Sequence, residues 1–158
     1  MSKWDRFFMT AAETSANMSK DPKTQVGAVI SKNKIIKSTG YNGAPRNFPD
    51  DLVPWNSIDS NELIDQKNTY MCHAELNAIL NYDGKLSDLK DAVLYTTISP
   101  CSRCACMIAQ VGIKKVIYKE KYHRKNETDA ADRIFNLCNI KQVEYHTVDN
   151  LEETNNDS

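Results

Sequence analysis

Two short motifs constrain this chain more than any other feature: His73-Ala74-Glu75 and Pro100-Cys101-Ser102-Arg103-Cys104. Together they supply one imidazole, two thiolates and one carboxylate, and the first three are good zinc ligands. Structural zinc sites are closed by four protein ligands, whereas catalytic sites keep one position open for water. One His and two Cys, with Glu75 two residues after the His, therefore predict an open zinc site with a proton shuttle beside it.

The spacing of the two cysteines predicts that they share one face of a helix, since they are three residues apart. Ser99-Pro100 is typical of an N-cap followed by the first helical residue. Both thiols would then lie in the first helical turn, where the helix dipole favours thiolates. By the same logic we expect His73 at the start of another helix, with the two N-termini converging on the metal.

A closed, structural zinc site is the alternative, because Cys72, Cys106 or Cys138 would be able to supply a fourth ligand. It is disfavoured because structural ligands usually come as two close pairs, and because Glu75 would have no role in it. We expect Cys106 to point away from the ligand face and to pack, and Cys138 to lie in the core.

Composition excludes several classes of protein. The 158 residues suit one domain, and the 20 basic and 21 acidic residues give a net charge of −1. This balance argues against a dedicated nucleic-acid groove. No apolar run approaches the roughly 20 residues of a membrane span. Five cysteines, an odd number, favour a reducing compartment, so we expect a cytoplasmic protein with one domain over residues 1–148 and a polar tail over 149–158.

The pattern of elements predicts an α/β fold. Ser2 and Asp5 resemble a capping box for a first helix from Lys3 to Met18, and a second helix should start near Cys72 with Leu76, Ile79 and Leu80 inward. Strands are expected at 26–30, 34–39, 92–97, 115–118 and 142–146, and further helices after Pro100 and over 129–138. This order predicts a three-layer α/β/α sandwich around one mixed, five-stranded sheet. The long connection over residues 42–71 is expected to be functional or disordered, with a helical part around 58–66.

The chain closely resembles the deoxycytidylate (dCMP) deaminases over about residues 3–147. The segments that carry the resemblance are Asp21–Ala28, Gly40–Gly43, Pro49–Trp55, Cys72–Ile79 and Lys121–His123, together with the zinc motifs. The resemblance implies a cytidine deaminase-like fold with one catalytic Zn²⁺ per chain. It also implies hydrolysis of dCMP to dUMP and ammonia, which supplies dUMP for dTTP synthesis, in a homohexamer. Activation by dCTP and inhibition by dTTP, each with Mg²⁺ on the triphosphate, are implied as well.

Residue roles follow from the resemblance in the same way. Glu75 would be the catalytic proton shuttle, Ala74 and Glu75 would meet the base edge, and Asn42 would bind the deoxyribose. Lys23, Thr24 and Tyr122 are the candidates for the sugar-phosphate end, and Gly43, Arg46, Asp50 and Asp51 for the effector site. Two of these roles have independent support: Lys23 and Thr24 offer a charge and a hydroxyl to a monophosphate, and Asn42, flanked by glycines, is able to adopt a left-handed conformation and present its amide.

Three other activities compete with this prediction. A deaminase acting on RNA or single-stranded DNA is disfavoured by the charge balance, and would show a steep salt dependence of oligonucleotide binding. A non-catalytic nucleotide sensor is disfavoured by Glu75, and would bind nucleotides without turnover. A cytidine deaminase acting on free nucleosides would not require the 5′-phosphate.

Overall fold

The computed structural model describes residues 1–56 and 59–147. Four α-helices and five strands are found in this part of the chain: α1 (Lys3–Ala16), β1 (Gly27–Lys32), β2 (Ile35–Tyr41), α2 (Ala74–Leu80), β3 (Val93–Ile98), α3 (Ser102–Gln110), β4 (Lys115–Glu120), α4 (Lys125–Leu137) and β5 (Lys141–Glu144). Short 3₁₀ turns lie at Asp50–Leu52, Leu63–Asp65, Lys67–Tyr70 and Leu86–Leu89. None of the helices described is long and apolar enough to cross a bilayer.

The strands form one mixed sheet in the order β2-β1-β3-β4-β5. β1 pairs antiparallel with both β2 and β3, whereas β3, β4 and β5 run parallel to one another. The parallel pairs require crossover connections, which α3 and α4 provide. This confirms the predicted mixed five-stranded sheet.

Helices cover both faces of the sheet, because neighbouring residues of a strand point to opposite sides. Val29, Tyr95 and Ile117 face α1, where they pack with Phe8 and Met9 in one buried cluster. The next-door residues Ile30, Leu94 and Val116 belong to a larger cluster on the other face, with side chains from α2, α3 and α4. The three-layer α/β/α sandwich is therefore confirmed, with one helix on one face and three on the other.

The first two helices differ in detail from the prediction. α1 starts with the expected capping box between Ser2 and Asp5 but ends at Ala16, before Met18. α2 starts at Ala74 and has only seven residues. The prediction that Leu80 points inward is wrong, since Leu80 is 65% exposed. The buried face of α2 consists of Ala74, Glu75, Ala78 and Ile79, which rotates Leu80, the last residue of the helix, toward solvent.

Two further cysteines are more exposed than predicted. The predictions that Cys106 packs and that Cys138 lies in the core are wrong, because both thiols are exposed. Cys106 points away from the buried face of α3, and Cys138 is the C-cap of α4, where the helical face ends. The predicted tail over 149–158 and the start of the predicted helix at residue 58 lie outside the described residues.

Candidate active site

The N-terminus of α2 carries the first half of the site. His73 is the N-cap residue, with extended backbone angles of φ −71° and ψ 155°, and Glu75 lies in the first turn. The Glu75 side chain turns inward and is only 4% exposed. Burial raises the pKa of Glu75, although the nearby His73 acts in the opposite direction. A buried carboxyl with a raised pKa is suited to exchanging protons near neutral pH.

The N-terminus of α3 carries the second half. The helix starts at Ser102 with Cys101 as its N-cap, so the prediction of an N-cap at Ser99 is wrong. The hydroxyl of Ser99 accepts a hydrogen bond from the backbone N–H of Tyr122 at 2.8 Å instead of one from α3. The carboxylate of Glu127, on α4, accepts the N–H of Ser102 at 2.8 Å and takes over part of the capping. α4 thus fixes the helix end that presents both cysteines.

The fold brings His73, Cys101 and Cys104 together, with their donor atoms all within 4.8 Å of one another. Nδ1 of His73 lies 3.4 Å from Sγ of Cys101 and 3.5 Å from Sγ of Cys104. In a tetrahedral zinc site, bonds of about 2.3 Å to sulfur and 2.0–2.1 Å to nitrogen separate such ligand atoms by about 3.6 Å. The three side chains therefore fit a zinc ion, with one position left for a further ligand.

The two thiols differ in their acidity. The hydrogen bond from Cys104 and the proximity of His73 lower the pKa of Cys101 to about 4, against its partial burial. The pKa of Cys104 is raised instead, by its contact with Cys101 and by burial. One thiolate is therefore favoured already without metal, and a bound divalent cation favours the second.

The alternative of a closed site finds no support in the described part of the chain. Cys72, Cys106 and Cys138 do not belong to the metal-binding group, which there contains only three side chains. Cys72 instead pairs its backbone with Gly43 in an isolated β-bridge. This arrangement is that of an open, catalytic site rather than of a structural one.

A cavity of about 480 Å³ opens onto the metal-binding group, within the size range of small-molecule sites. Four residues predicted to bind substrate line it: Thr24, Asn42, Ala74 and Tyr122. Glu75 and two of the metal-binding side chains, those of His73 and Cys101, are also part of the wall. Several further residues of the wall had no site role assigned to them from the sequence, among them Asp21, Lys67, Asn68, Lys121, His123 and Arg124.

Asn42 does not adopt the left-handed conformation that its flanking glycines allow, since it is absent from the residues with positive φ in the described chain. Its side chain is bound to backbone on both sides. Oδ1 accepts the N–H of Val26 at 2.8 Å, and Nδ2 donates to the carbonyl of Thr24 at 2.9 Å. Asn42 thus fixes the backbone just before β1, which forms part of the cavity wall. Of its side-chain amide, only the second N–H and the second lone pair of Oδ1 are left for a ligand.

Lys23 is exposed and is not part of the cavity wall, although it was predicted to bind the phosphate. The cationic side chains of the wall are those of Lys67, Lys121 and Arg124. Lys67 is paired with Asp21, and Lys121 with Asp132. The guanidinium of Arg124 makes no hydrogen bond or ion pair with any described residue, which leaves it available for a ligand.

The four predicted effector residues all lie outside the cavity wall. Gly43 bonds with Cys72 through its backbone, with N–O distances of 3.1 and 2.7 Å. Arg46 donates to Oδ1 of Asn81 at 3.3 Å. Asp50, which is paired with Lys20, and Asp51 lie on an exposed 3₁₀ turn.

Residues 2–120 match the family model of the cytidine and deoxycytidylate deaminase zinc-binding region. The chain belongs to this family. Both zinc motifs, His73–Glu75 and Pro100–Cys104, lie within the matched range, and the His-Cys-Cys group agrees with the description of that range as a zinc-binding region.

Individual relatives within the family are similar over most of the chain. It is 45% identical to human deoxycytidylate deaminase over 141 residues, which cover 87% of this chain and 77% of the relative. It is 43% identical to a probable deoxycytidylate deaminase of Drosophila melanogaster, over 87% of this chain and 70% of the relative. Among solved structures, the dCMP deaminase of cyanophage S-TIM5 in complex with dCMP and dUMP matches with a TM-score of 0.70 and 25% identity, covering 92% of this chain and 99% of that one.

Proposed function

We propose that this protein is a zinc-dependent dCMP deaminase, which hydrolyses dCMP to dUMP and ammonia. The observation that carries the proposal is the open His73–Cys101–Cys104 group beside the buried Glu75, in a chain 45% identical to human deoxycytidylate deaminase. Similarity to relatives that carry this name, and to a phage enzyme solved with dCMP and dUMP, supports the choice of substrate.

His73, Cys101 and Cys104 hold the zinc ion in this proposal. When bound, zinc lowers the pKa of water and so supplies a nucleophile near neutral pH. Glu75 moves the protons: its carboxylate accepts one from the attacking water and delivers it to the ring nitrogen of cytosine. It then accepts the proton of the hydroxyl that has been added to the ring carbon and delivers it to the amine, which leaves as ammonia while the ring carbon becomes a carbonyl. Proton transfer by a positioned side chain contributes about 10²–10⁴-fold to the rate.

The rest of the cavity binds and orients the nucleotide. Ala74 lies in the cavity wall next to Glu75, and we assign its backbone to the base edge. Thr24, Asn42 and Tyr122 form the part of the wall assigned to sugar and phosphate. We retain Lys23 as a candidate for the phosphate end, where its charge would act from outside the wall.

Regulation and assembly belong to the same proposal. We propose that dCTP activates and dTTP inhibits the enzyme, each bound with Mg²⁺ near Gly43, Arg46, Asp50 and Asp51, in a homohexamer that supplies dUMP for dTTP synthesis. The resemblance to dCMP deaminases supports these features. We also propose that residues 1–148 act as a single domain in the cytoplasm, which is consistent with five free thiols.

Ammonia release from dCMP tests the proposal. Deoxycytidine and a short cytosine-containing single strand serve as competing substrates, each measured with and without dCTP·Mg²⁺ and dTTP·Mg²⁺. We expect turnover of dCMP alone, raised by dCTP and suppressed by dTTP. Turnover of the oligonucleotide but not of dCMP would contradict the assignment, and turnover of deoxycytidine equal to that of dCMP would remove the requirement for the phosphate.

A further inference from the structure

Asp21 is a buried acid with no assigned role in the proposed reaction. Its side chain is only 2% exposed. Oδ1 accepts the backbone N–H groups of Lys23 at 2.9 Å and of Thr24 at 3.2 Å. These bonds fix the tight turn that precedes β1, which we call the Asp21 turn (residues 21–24). Asp21 therefore shapes the backbone that presents Thr24 to the cavity.

Lys67 is the ionic partner of Asp21 and comes from the connecting segment, residues 42–71. Its Nζ lies 2.8 Å from Oδ2 of Asp21, and its side chain is 13% exposed. Burial would raise the pKa of Asp21, but the hydrogen bond from Lys67 and those from the backbone of Lys23 and Thr24 lower it overall. The carboxylate is thus ionised in the fold, and Lys67 compensates a buried charge.

The same segment carries a second ion pair, which is exposed. Lys20 pairs with Asp50, but these side chains are 69% and 62% exposed. Exposed pairs contribute little, whereas breaking a buried pair by removing one partner is costly. Asp21 and Lys67 therefore form the ionic contact that fastens the segment to the body of the domain, and both line the cavity.

The contact extends to Asn42 through backbone. The backbone N–H of Thr24 donates to the carboxylate of Asp21, and the carbonyl of Thr24 accepts a hydrogen bond from the side-chain amide of Asn42. Asn42 in turn accepts the N–H of Val26. Lys67, Asp21, Thr24, Asn42 and Val26 are consecutive members of one bonded series, and all five line the cavity. A displacement of Lys67 would therefore alter the wall that faces a bound ligand.

We propose that Asp21 and Lys67 are a positioning pair: by docking the connecting segment on the Asp21 turn, they set the shape of the substrate wall without contacting the metal donors. Neither residue is assigned a chemical step. The pair affects binding of the substrate more than its conversion, because Glu75 and the metal-binding side chains are supported separately by α2 and α3. The kinetic part of this inference rests on the proposed function.

Kinetics of Lys67→Met and Asp21→Asn test the pair. Asparagine keeps an acceptor for the two backbone N–H groups, so that variant removes the charge and spares the turn. We expect each variant to raise the KM for dCMP about tenfold, to leave kcat within about threefold and to keep full zinc content, as expected for a loss of binding shared by ground state and transition state. Lys67→Arg retains the charge and is expected to restore a KM near that of the wild type.

Coupling between the two residues is tested by the double variant Asp21→Asn/Lys67→Met. If both act through one contact, the double variant raises KM no further than the more severe single variant. Lys20→Met, which breaks the exposed pair of the same segment, is the matched control and leaves KM unchanged. Additive effects on log KM, or equal losses of kcat and zinc in the single variants, would overturn the proposal.

Amide hydrogen exchange provides a measurement that needs no substrate. Lys67→Met is expected to accelerate amide exchange over Leu63–Tyr70 by about tenfold or more, relative to α1, because the segment loses its ion pair with Asp21. Unchanged exchange there would refute the docking role whatever the substrate is. If the wild-type protein fails to deaminate dCMP, the proposed function is wrong, and the exchange result alone then decides for or against the pair.

Discussion

Nδ1 of His73 lies 3.4 Å from Sγ of Cys101, and both residues are N-caps of α-helices. The metal-binding group is therefore assembled where two helix N-termini converge. Each terminus contributes the positive end of its dipole, which favours thiolate over thiol. The ligand atoms belong to helix boundaries, so their mutual position depends on how α2 and α3 pack on the sheet.

Glu75→Gln is expected to separate metal binding from proton transfer. The amide is isosteric with the carboxyl but exchanges no proton, so we expect kcat to fall by about 10²–10⁴-fold while zinc content stays complete. Zinc is measured by elemental analysis and turnover by ammonia release. Near-normal activity of this variant would remove Glu75 from the role of proton shuttle.

Cys104→Ala is expected to lose zinc and stability together. Cys104 is a buried donor of the metal-binding group, and metal binding is coupled to folding. Cys106→Ala is the matched control, since that thiol is two residues further along the same helix and exposed. We expect the first variant to have less than one equivalent of zinc and a lower melting temperature, and the control to retain both values. A fully loaded Cys104→Ala protein would contradict the assignment.

The sequence alone was sufficient to predict the layers of the fold and the members of the metal-binding group. The strands were predicted as short apolar runs bounded by turn signals, and in β1 the consecutive apolar residues Val29 and Ile30 lie on opposite faces, as expected for a strand that is buried on both sides. The helix boundaries were less accurate. Ser99-Pro100 is a strong local signal for a helix start, yet the hydroxyl of Ser99 is bound by Tyr122, which is distant in sequence. A long-range contact of this kind is not encoded in local propensity.

The cavity wall was harder to predict for the same reason. Lys23 was selected from the family resemblance and because its charge suits a monophosphate. Lys67, in contrast, is paired with Asp21 across 46 residues of sequence, a contact that local sequence does not show. The Asp21-Pro22 dipeptide indicated a turn, and a buried turn acid requires a partner. The dipeptide alone does not show that Asp21 is buried, so the sequence predicted neither a cation near Asp21 nor which lysine supplies it.

Gly40→Ala is expected to disturb the active site through packing. A Cβ at Gly40 would overlap the backbone of Ala74 and Ala78 on α2. A Cβ at Gly27 would overlap the backbone of Ala12 on α1, on the other face of the sheet. Overpacking costs about 1–3 kcal/mol in either case. We expect urea unfolding to show a similar loss for both variants, and kcat per folded molecule to fall only for Gly40→Ala; equal kcat values would show that α2 adapts without moving Glu75.

Tyr95→Phe is expected to change how the free energy of unfolding depends on pH in the acid range. The hydroxyl of Tyr95 donates to Oδ1 of Asp5 at 2.7 Å. Burial would raise the pKa of Asp5, but the bonds from Tyr95 and Ser2 lower it overall. A lowered folded-state pKa contributes stability above the unfolded value near 4, and this contribution is lost as the pH falls through the folded-state pKa.

The difference in unfolding free energy between wild type and Tyr95→Phe should therefore be largest near pH 7, at about 1–2 kcal/mol. It should shrink as the pH falls below about 4, because Asp5 becomes protonated in both proteins. Urea unfolding followed by circular dichroism at a series of pH values measures this. A difference that is constant with pH would assign the effect to packing of the ring rather than to the carboxylate.

Arg124→Ala is expected to weaken binding of the nucleotide phosphate. Arg124 lines the cavity and makes no ion pair with the residues described, whereas Lys23 is outside the wall. Guanidinium groups bind phosphate oxygens through paired hydrogen bonds. We expect the KM for dCMP to rise about tenfold, with a smaller difference at high salt because the attraction is screened. The KM for deoxycytidine, which has no phosphate, is the internal control and should not change.

The same measurement on Lys23→Ala tests the residue that was chosen from the sequence. A larger rise in the KM for dCMP than that of Arg124→Ala would show that the phosphate is bound from outside the cavity wall.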